Sequence, residues 1–212
     1  MRPLDSSNIL RIAIAIVLTG VLGCAQRESE QLNLRAAANT ASKRPPIGLL
    51  DLKGNPFDLW PRERSPITVV LFTRSDCPIS NRLAPEIRQL YELYHPKGVE
   101  FYLVYVDPDE PSEAIRHHLQ EYGYPCPGLR DPQHALVAYC RVTTTPEAVV
   151  FDRDRTMTYV GRVNNLYEEL GRPRAEATTH ELADAIESTV QGRPVAIPRA
   201  KAIGCPIADL RS

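Results

Sequence analysis

The chain has 212 residues, 43% of them hydrophobic, which suits one globular domain with a buried core and some additional segments. Its formal net charge is −1, so neither a nucleic-acid partner nor an acidic membrane surface is indicated. The sequence contains no phosphate-binding loop, hydrolase serine motif or dinucleotide fingerprint, which removes the enzyme classes that depend on them.

The N-terminus predicts a secretory signal over residues 1–23. Arg2 and Arg11 supply positive charge, and the apolar stretch that follows is too short to span a membrane comfortably. The stretch ends at Val21-Leu22-Gly23-Cys24, which resembles the bacterial lipobox. The resemblance implies that Cys24 becomes lipidated and N-terminal. An uncleaved membrane anchor and an ordinary cleaved signal are the two alternatives.

The lipobox resemblance also implies a location in the bacterial cell envelope. Ala25 follows the cysteine, as in lipoproteins that are sorted to the outer membrane, so the protein would face the periplasm. Acyl chains on Cys24 would hold the protein firmly, because two chains suffice for stable anchoring. Residues 24–46 are polar and poor in aromatic side chains, which predicts a flexible tether between the anchor and the folded part.

The remaining chain alternates strand and helix patterns, and we expect one folded domain over residues 47–192 and a C-terminal tail over residues 193–212. In chain order, the patterns predict a hairpin (47–59), a strand (67–73), a helix (81–94), a strand (99–106), a helix capped by Ser112 (112–122), a short helix (133–140), two strands (148–151 and 156–160) and a helix capped by Thr179 (179–191). Parallel strands with crossover helices, followed by an antiparallel pair, indicate an α/β fold with a central mixed β-sheet and helices on both faces.

The first strong strand pattern leads directly to Cys77. The stretch Ile67–Thr73 is apolar and β-branched, and it stops at short polar residues that precede Cys77 and a helical pattern. Pro78 suits the first helical position, so Cys77 should lie beside the unpaired N–H groups at the positive end of a helix dipole. A thiol in that place ionises more readily than a free cysteine, although Asp76 opposes this, and the thiolate is the reactive form. The stretch therefore predicts a redox site.

The order of elements, with a cysteine at the first β-to-α junction and Pro85 within the next helix, resembles the thioredoxin fold. The segment Thr145-Pro146-Glu147-Ala148-Val149-Val150-Phe151-Asp152 carries the same resemblance. It implies a thioredoxin-like fold in which the Thr145–Pro146 bond is cis and Pro146 packs against the active cysteine. It also implies that Thr145 presents its backbone to a bound partner chain.

Two further stretches resemble the peroxiredoxin-like redoxins of the alkyl hydroperoxide reductase/thiol-specific antioxidant class. One is Asp76–Asn81 with Ala84–Ile87, and the other is Gly192–Pro198 leading to Ile203–Ile207. The resemblance covers most of the chain after the predicted tether, and it implies antioxidant redox chemistry at Cys77.

The residues around Cys77 depart from both family patterns. Cys77-Pro78-Ile79-Ser80 lacks the second cysteine of a Cys-x-x-Cys motif, which releases the mixed disulfide in a dithiol oxidoreductase. Arg74 stands where a peroxiredoxin has threonine or serine, and Val70 replaces the expected proline. Thr73 and Arg74 remain candidates for binding a peroxide oxygen, but the broken motif favours thiol–disulfide exchange.

A resolving thiol must then come from elsewhere in the chain or from another protein. Cys205, in a Gly-Cys-Pro turn of the tail, is the first candidate, and a free or structural cysteine is the alternative. Cys126 and Cys140 are more typical of packed core cysteines, and a structural disulfide between them in an oxidising compartment is the alternative. The sequence does not choose among the pairings.

The sequence predicts neither a metal site nor another cofactor. Copper-delivering redoxin relatives use Cys-x-x-x-Cys, and Asn81 stands in the place of the second cysteine. The 5 histidines are scattered without ligand spacing, and His117-His118 is expected to face solvent.

The leading hypothesis is a membrane-tethered, thioredoxin-like oxidoreductase with Cys77 as nucleophile. Its substrates would be protein thiols and disulfides or a peroxide, and an unidentified protein would supply the electrons. The alternative hypothesis is a non-catalytic thioredoxin-like module that binds partner proteins at the envelope through the groove beside Pro146. The reactivity of Cys77 toward thiol reagents separates the two hypotheses.

Overall fold

The computed structural model describes residues 48–61 and 65–210. The predicted signal, the lipidation site Cys24 and the predicted tether lie outside the described residues. In the described part of the chain, no helix is both long enough and apolar enough to cross a bilayer.

A mixed sheet of 6 strands forms the centre of the fold. The strands in chain order are β1 (Ile67–Thr73), β2 (Val99–Tyr105), β3 (Gly128–Arg130), β4 (Thr144–Thr145), β5 (Glu147–Phe151), β6 (Met157–Gly161), β7 (Tyr167–Glu169), β8 (Arg172–Pro173), β9 (Arg199–Ala200) and β10 (Cys205–Pro206). The central sheet has the order β3-β2-β1-β5-β6-β9, while β4 pairs with β10 and β7 with β8. Within it, β1, β2 and β3 are parallel, and β5 runs antiparallel to both β1 and β6.

Helices cover both faces of this sheet, as predicted. They are α1 (Pro78–Tyr94), α2 (Ser112–Glu121), α3 (Ala135–Cys140) and α4 (Glu181–Val190). Successive side chains of a strand point to opposite faces. Val69 and Leu71 of β1 therefore pack in the core cluster that contains α1, α2 and α4, whereas Val70 and Phe72 pack with α3. Every residue of β1 is buried, which fits a strand at the centre of the sheet.

Two predicted helix caps are wrong by one residue. The N-cap of α2 is Pro111, and Ser112 is already the first helical residue. The N-cap of α4 is His180. The hydroxyl of Thr179 donates to the carboxylate of Glu181 at 2.7 Å and makes no capping bond to the helix backbone.

The ends of the domain differ most from the predicted pattern. The hairpin predicted over 47–59 is reduced to an isolated bridge between Leu50 and Pro56, and the carboxylate of Asp51 accepts the N–H groups of Lys53 and Asn55 in the turn. The C-terminal tail contributes two strands, since β9 joins the edge of the central sheet at β6 and β10 pairs with β4. The tail therefore belongs to the fold and reaches the end of β1 where Cys77 lies.

Candidate functional site

Cys77 lies at the junction of β1 and α1. It is the N-cap residue of α1, and Pro78 is the first residue of the helix. The Cys77 N–H donates to the carbonyl of Arg74 at 3.3 Å, and its own carbonyl accepts the N–H of Asn81 at 3.1 Å. These bonds fix the short loop between strand and helix. The Cys77 side chain is 0% exposed, so the thiol is fully buried in this structure.

The segment before β5 lies against this thiol. The Thr145–Pro146 bond is cis, which is the isomer that the thioredoxin resemblance implies. The Cys77 thiol donates to the carbonyl oxygen of Thr145, with sulfur and oxygen 3.2 Å apart. Pro146 and Ile79 line a small cavity next to it. The backbone that was expected to receive a partner chain is therefore in contact with Cys77.

The C-terminal tail brings Cys205 to the same place. In the antiparallel pair of β4 and β10, Cys205 stands opposite Thr145, and the hydroxyl of Thr144 donates to the Cys205 carbonyl at 3.0 Å. The sulfurs of Cys77 and Cys205 lie 2.9 Å apart although the residues are 128 positions apart in sequence, and both are free thiols. A disulfide bond is about 2.05 Å long, so oxidation of the two thiols to a disulfide would require the sulfurs to move less than about 1 Å closer.

The two thiols differ in acidity. Burial opposes the ionisation of Cys77, but hydrogen bonds from Cys205, Ser80 and Thr145 outweigh it and lower the pKa of Cys77 below its usual value. Burial and the neighbouring Cys77 sulfur raise the pKa of Cys205 to about 11. Cys77 is therefore the thiol that ionises first, and Cys205 keeps its proton and donates it in a hydrogen bond to the Cys77 thiolate.

Ser80 takes part in stabilising the Cys77 thiolate, a role that was not predicted from the sequence. The residue occupies the place of the second cysteine in a Cys-x-x-Cys motif and is 1% exposed. With Cys77 as a thiol, the Ser80 hydroxyl has no well-aligned hydrogen-bond partner among the described residues. A thiolate at Cys77 supplies the missing acceptor, and both the hydroxyl and the N–H of Ser80 act to lower the Cys77 pKa.

Replacing Ser80 with alanine should raise the pKa of Cys77 and slow its reaction with iodoacetamide several-fold at neutral pH. A lower pKa leaves a larger thiolate fraction at a given pH, so the loss of a donor moves the rate profile to higher pH. The measurement is the pH profile of Cys77 alkylation, followed by mass spectrometry. Ser112→Ala, at the start of α2, is the control and should leave the profile unchanged. An unchanged profile in Ser80→Ala would show that the hydroxyl does not stabilise the thiolate.

Thr73 and Arg74 precede Cys77 but contact other groups. The hydroxyl of Thr73 is 3.5 Å from the carbonyl of Arg74, and the Thr73 side chain is buried. The Arg74 guanidinium pairs with the Asp76 carboxylate at 2.8 Å and approaches that of Asp107 at 3.7 Å. These contacts pair the Arg74 charge with two carboxylates, and its role at a peroxide oxygen stays a prediction.

A buried hydrogen-bond chain behind the site was not predicted. His118 was expected to face solvent, but it is only 3% exposed, so that expectation is wrong. Its Nδ1 lies 2.7 Å from the Tyr105 hydroxyl and its Nε2 2.8 Å from Oδ1 of Asn81, whose amide donates to the carbonyl of Ser75 at 2.9 Å. Burial lowers the pKa of His118, which favours the neutral ring. The chain ties α2 to the loop that precedes Cys77.

Cys126 and Cys140 are buried on opposite faces of the sheet. Cys126 packs in the cluster that contains α1, and Cys140 packs in the cluster that contains α3. They lie on opposite faces of the sheet as free thiols, so the alternative of a disulfide between them is wrong. Burial raises the pKa of Cys126 to about 12 and raises that of Cys140 as well, so neither ionises readily. Their role is packing.

The described histidines serve separate local contacts. The ring of His134 bonds the carbonyl of Val106 at 2.7 Å, and that of His180 contacts the Glu86 carboxylate at 2.9 Å. Across residues 48–61 and 65–210, no three His, Cys, Asp or Glu side chains come together as a metal site requires.

A family model described as Redoxin matches residues 38–178 of the chain. The matched residues include the junction at Cys77 and the segment at Thr145–Pro146. Cys205 lies beyond the matched residues.

Individual proteins are similar to this chain in sequence or in fold. Thiol-disulfide oxidoreductase ResA of Bacillus thuringiensis is 24% identical over 153 residues, which cover 69% of this chain and 82% of the relative. The crystal structure of an uncharacterized conserved protein from Geobacillus kaustophilus superposes with a TM-score of 0.68 and 28% identity, over 80% of this chain and 91% of that one. A secreted Mycobacterium tuberculosis disulfide oxidoreductase, described as homologous to Escherichia coli DsbE, gives a TM-score of 0.51 and 20% identity over 69% of this chain and 98% of that one. The predicted thioredoxin-like fold is confirmed.

Proposed function

Because the chain belongs to the redoxin family, we propose that it is a thiol–disulfide oxidoreductase in which Cys77 and Cys205 form the redox couple. The proposal rests on the contact between the sulfurs of Cys77 and Cys205, which lie 2.9 Å apart. The pKa of Cys77 is lowered and that of Cys205 is raised, so the two thiols suit different steps of one reaction. The names of two relatives, a thiol-disulfide oxidoreductase and a disulfide oxidoreductase, support the same reaction class.

In the first step, the Cys77 thiolate attacks one sulfur of a disulfide in a partner protein. A mixed disulfide forms between Cys77 and that sulfur, the partner's S–S bond breaks, and the partner's second sulfur leaves as a thiolate that takes up a proton. Cys77 performs the attack because its hydrogen bonds favour the thiolate, whereas burial and the nearby Cys77 sulfur keep Cys205 protonated.

In the second step, Cys205 resolves the mixed disulfide. Cys205 loses its proton and attacks the Cys77 sulfur, and the partner's remaining sulfur leaves and is protonated. The products are a Cys77–Cys205 disulfide and a partner dithiol, so two electrons have passed to the partner. A dithiol of an unidentified reductant protein then reduces the Cys77–Cys205 bond. Cys205 thus supplies the resolving sulfur, which the serine at position 80 cannot supply.

Cys77→Ser should abolish this activity. The test is the reduction of a model protein disulfide, such as that of insulin, with dithiothreitol as electron source. The wild type should accelerate the reaction well above the reductant alone, and Cys77→Ser should not, because the attacking sulfur is gone.

Two other outcomes would replace the proposal. Hydrogen peroxide that is consumed in a Cys77-dependent reaction, without reduction of the protein disulfide, would make the protein a peroxidase. A Cys77 that reacts with neither substrate, and with iodoacetamide no faster than an exposed cysteine, would leave a non-catalytic module that binds partner proteins beside Pro146.

We further propose that the protein works at the bacterial cell envelope, held by lipid on Cys24 to the periplasmic face of the outer membrane. The lipobox-like Val21-Leu22-Gly23-Cys24 and the following Ala25 support this location. Labelling of cells with a radioactive fatty acid tests it, since the wild type should take up the label and Cys24→Ala should not. An unlabelled wild type, or a label that survives Cys24→Ala, would contradict the lipid anchor.

A further inference from the structure

The nucleophile of the proposed couple is covered in the reduced protein. Cys77 is fully buried, and its sulfur lies against the carbonyl of Thr145 and the sulfur of Cys205. Attack on a partner's disulfide requires the reacting sulfurs to come within roughly 3–3.5 Å of each other. A partner's sulfur must therefore take the place beside Cys77 that Cys205 now occupies.

The strand β10 fills the edge of β4. Cys205 stands opposite Thr145 and Pro206 opposite Thr144, and the next N–H, that of Ile207, donates to the carbonyl of Thr143 at 3.0 Å. An extended segment of another protein often binds by adding a strand to such an edge, through the same backbone groups. The tail of this chain already uses these groups.

Gly204 determines how closely the tail can approach. A Cβ at this position would lie 2.0 Å from the carbonyl oxygen of Thr145 and 2.6 Å from its carbonyl carbon. Both are backbone atoms next to Pro146, so they cannot move aside as the end of a flexible side chain could. The placement of β10 beside Cys77 therefore depends on the absence of a side chain at position 204.

Open space borders the tail on both sides. A cavity of about 380 Å³ is lined by Thr144, Leu170 and residues 202–204 of the tail. A second cavity of about 560 Å³ is lined by Arg74, by loop residues after β2 and by residues 207–210 of the tail. Leu170 is 61% exposed beside the first cavity. We call the edge of β4 together with these two cavities the partner-binding groove.

We propose that residues 201–208 are the resident occupant of the partner-binding groove, an inference that rests on the proposed function. An extended, cysteine-bearing segment of a partner protein enters the groove as β10 leaves β4. Cys205 resolves the mixed disulfide when β10 pairs with β4 again. The observed rate at which Cys77 reacts with a partner or a reagent then equals the rate of the uncovered thiol multiplied by the fraction of molecules in which the tail has left the groove.

Gly204→Ala tests this inference, because it should expel the tail from β4 while both cysteines remain in the chain. Minor open states are typically populated at about 0.1–10%. If the tail is away from β4 in every molecule of Gly204→Ala, iodoacetamide should alkylate reduced Cys77 about tenfold faster or more than in the wild type. Mass spectrometry of the Cys77 peptide gives the rate. Hydrogen exchange of the Ile207 N–H reports the pairing with Thr143, and it should be slow in the wild type and fast in Gly204→Ala. Asp154→Ala, at an exposed position in the turn between β5 and β6, should match the wild type in both measurements.

Several results would overturn the inference. They are equal alkylation rates in the wild type and in Gly204→Ala, an Ile207 N–H that stays protected in Gly204→Ala, and an Ile207 N–H that exchanges freely in the reduced wild type. Equal and fast alkylation rates would show that the tail does not cover Cys77, and they would not affect the proposed function. Equal and slow rates, with an Ile207 N–H that exchanges fast in Gly204→Ala, would count against the proposed function as well, because an open Cys77 would then be unreactive.

Discussion

Cys205→Ser is expected to stop the reaction at a mixed disulfide between Cys77 and the partner protein. The serine hydroxyl can still donate a hydrogen bond to Cys77, so the first attack should proceed, but the resolving sulfur is gone. Turnover should fall to nearly the rate of the reductant alone. Incubation with a protein that carries a single disulfide should give a stable one-to-one adduct, visible by non-reducing electrophoresis and by intact mass.

Cys126→Ala is the matched control for this experiment. Cys126 is buried in the core with a raised pKa, and its removal should leave turnover intact and trap no adduct. A Cys205→Ser variant that turns over at the wild-type rate would show that the resolving thiol lies elsewhere, on another protein or on another cysteine. A variant that forms no adduct and does not turn over would show that Cys205 is needed before the attack.

Asp131→Ala is expected to lower the free energy of unfolding by about 3–5 kcal/mol. The Asp131 side chain is fully buried, and its two carboxylate oxygens accept the N–H groups of Ala135, Leu136 and Val137 at 2.8–2.9 Å. These N–H groups belong to the first turn of α3, where a helix has no internal acceptors for them. Alanine would leave them buried and unpaired. Chemical denaturation followed by circular dichroism measures the loss.

Asp154→Ala provides the comparison, because Asp154 lies exposed in the turn between β5 and β6. A surface substitution of this kind should change stability by no more than about 0.5 kcal/mol. A loss of less than about 1 kcal/mol in Asp131→Ala would contradict the stabilising role of the carboxylate. Because α3 leads directly to Thr144 and Thr145, the same variant should also weaken the pairing of β4 with β10.

The long, regular elements could be predicted from the sequence because their patterns are strong. The bounds predicted for β1 match the structure, and the predicted strand over 99–106 differs from β2 by one residue. Cys77 could be placed at a helix N-terminus because a buried strand, short polar residues and Pro78 occur in succession. The local sequence was sufficient for this part of the site.

The rest of the site depends on contacts between distant residues, which leave little local signal. The strands β4 and β10 have 2 residues each, too few for any periodicity, yet their pairing seats Cys205 beside Cys77. His118 lies in a polar helix, and its spacing of three from the buried Ile115 was the signal that could have placed it inside. Cys126 and Cys140 lie on opposite faces of the sheet. This could not be predicted, because the sequence does not show which face of the sheet each loop or short helix covers.

If Cys77 and Cys205 form one redox couple, as we propose, mapping of disulfides in the oxidised wild-type protein should show the bond between them. The protein is oxidised with a stoichiometric disulfide reagent, digested without reduction and analysed by mass spectrometry. The expected result is a peptide pair that joins Cys77 to Cys205, with Cys126 and Cys140 recovered as free thiols. A Cys77 that is joined to another cysteine, or that stays unpaired after oxidation, would contradict the claim.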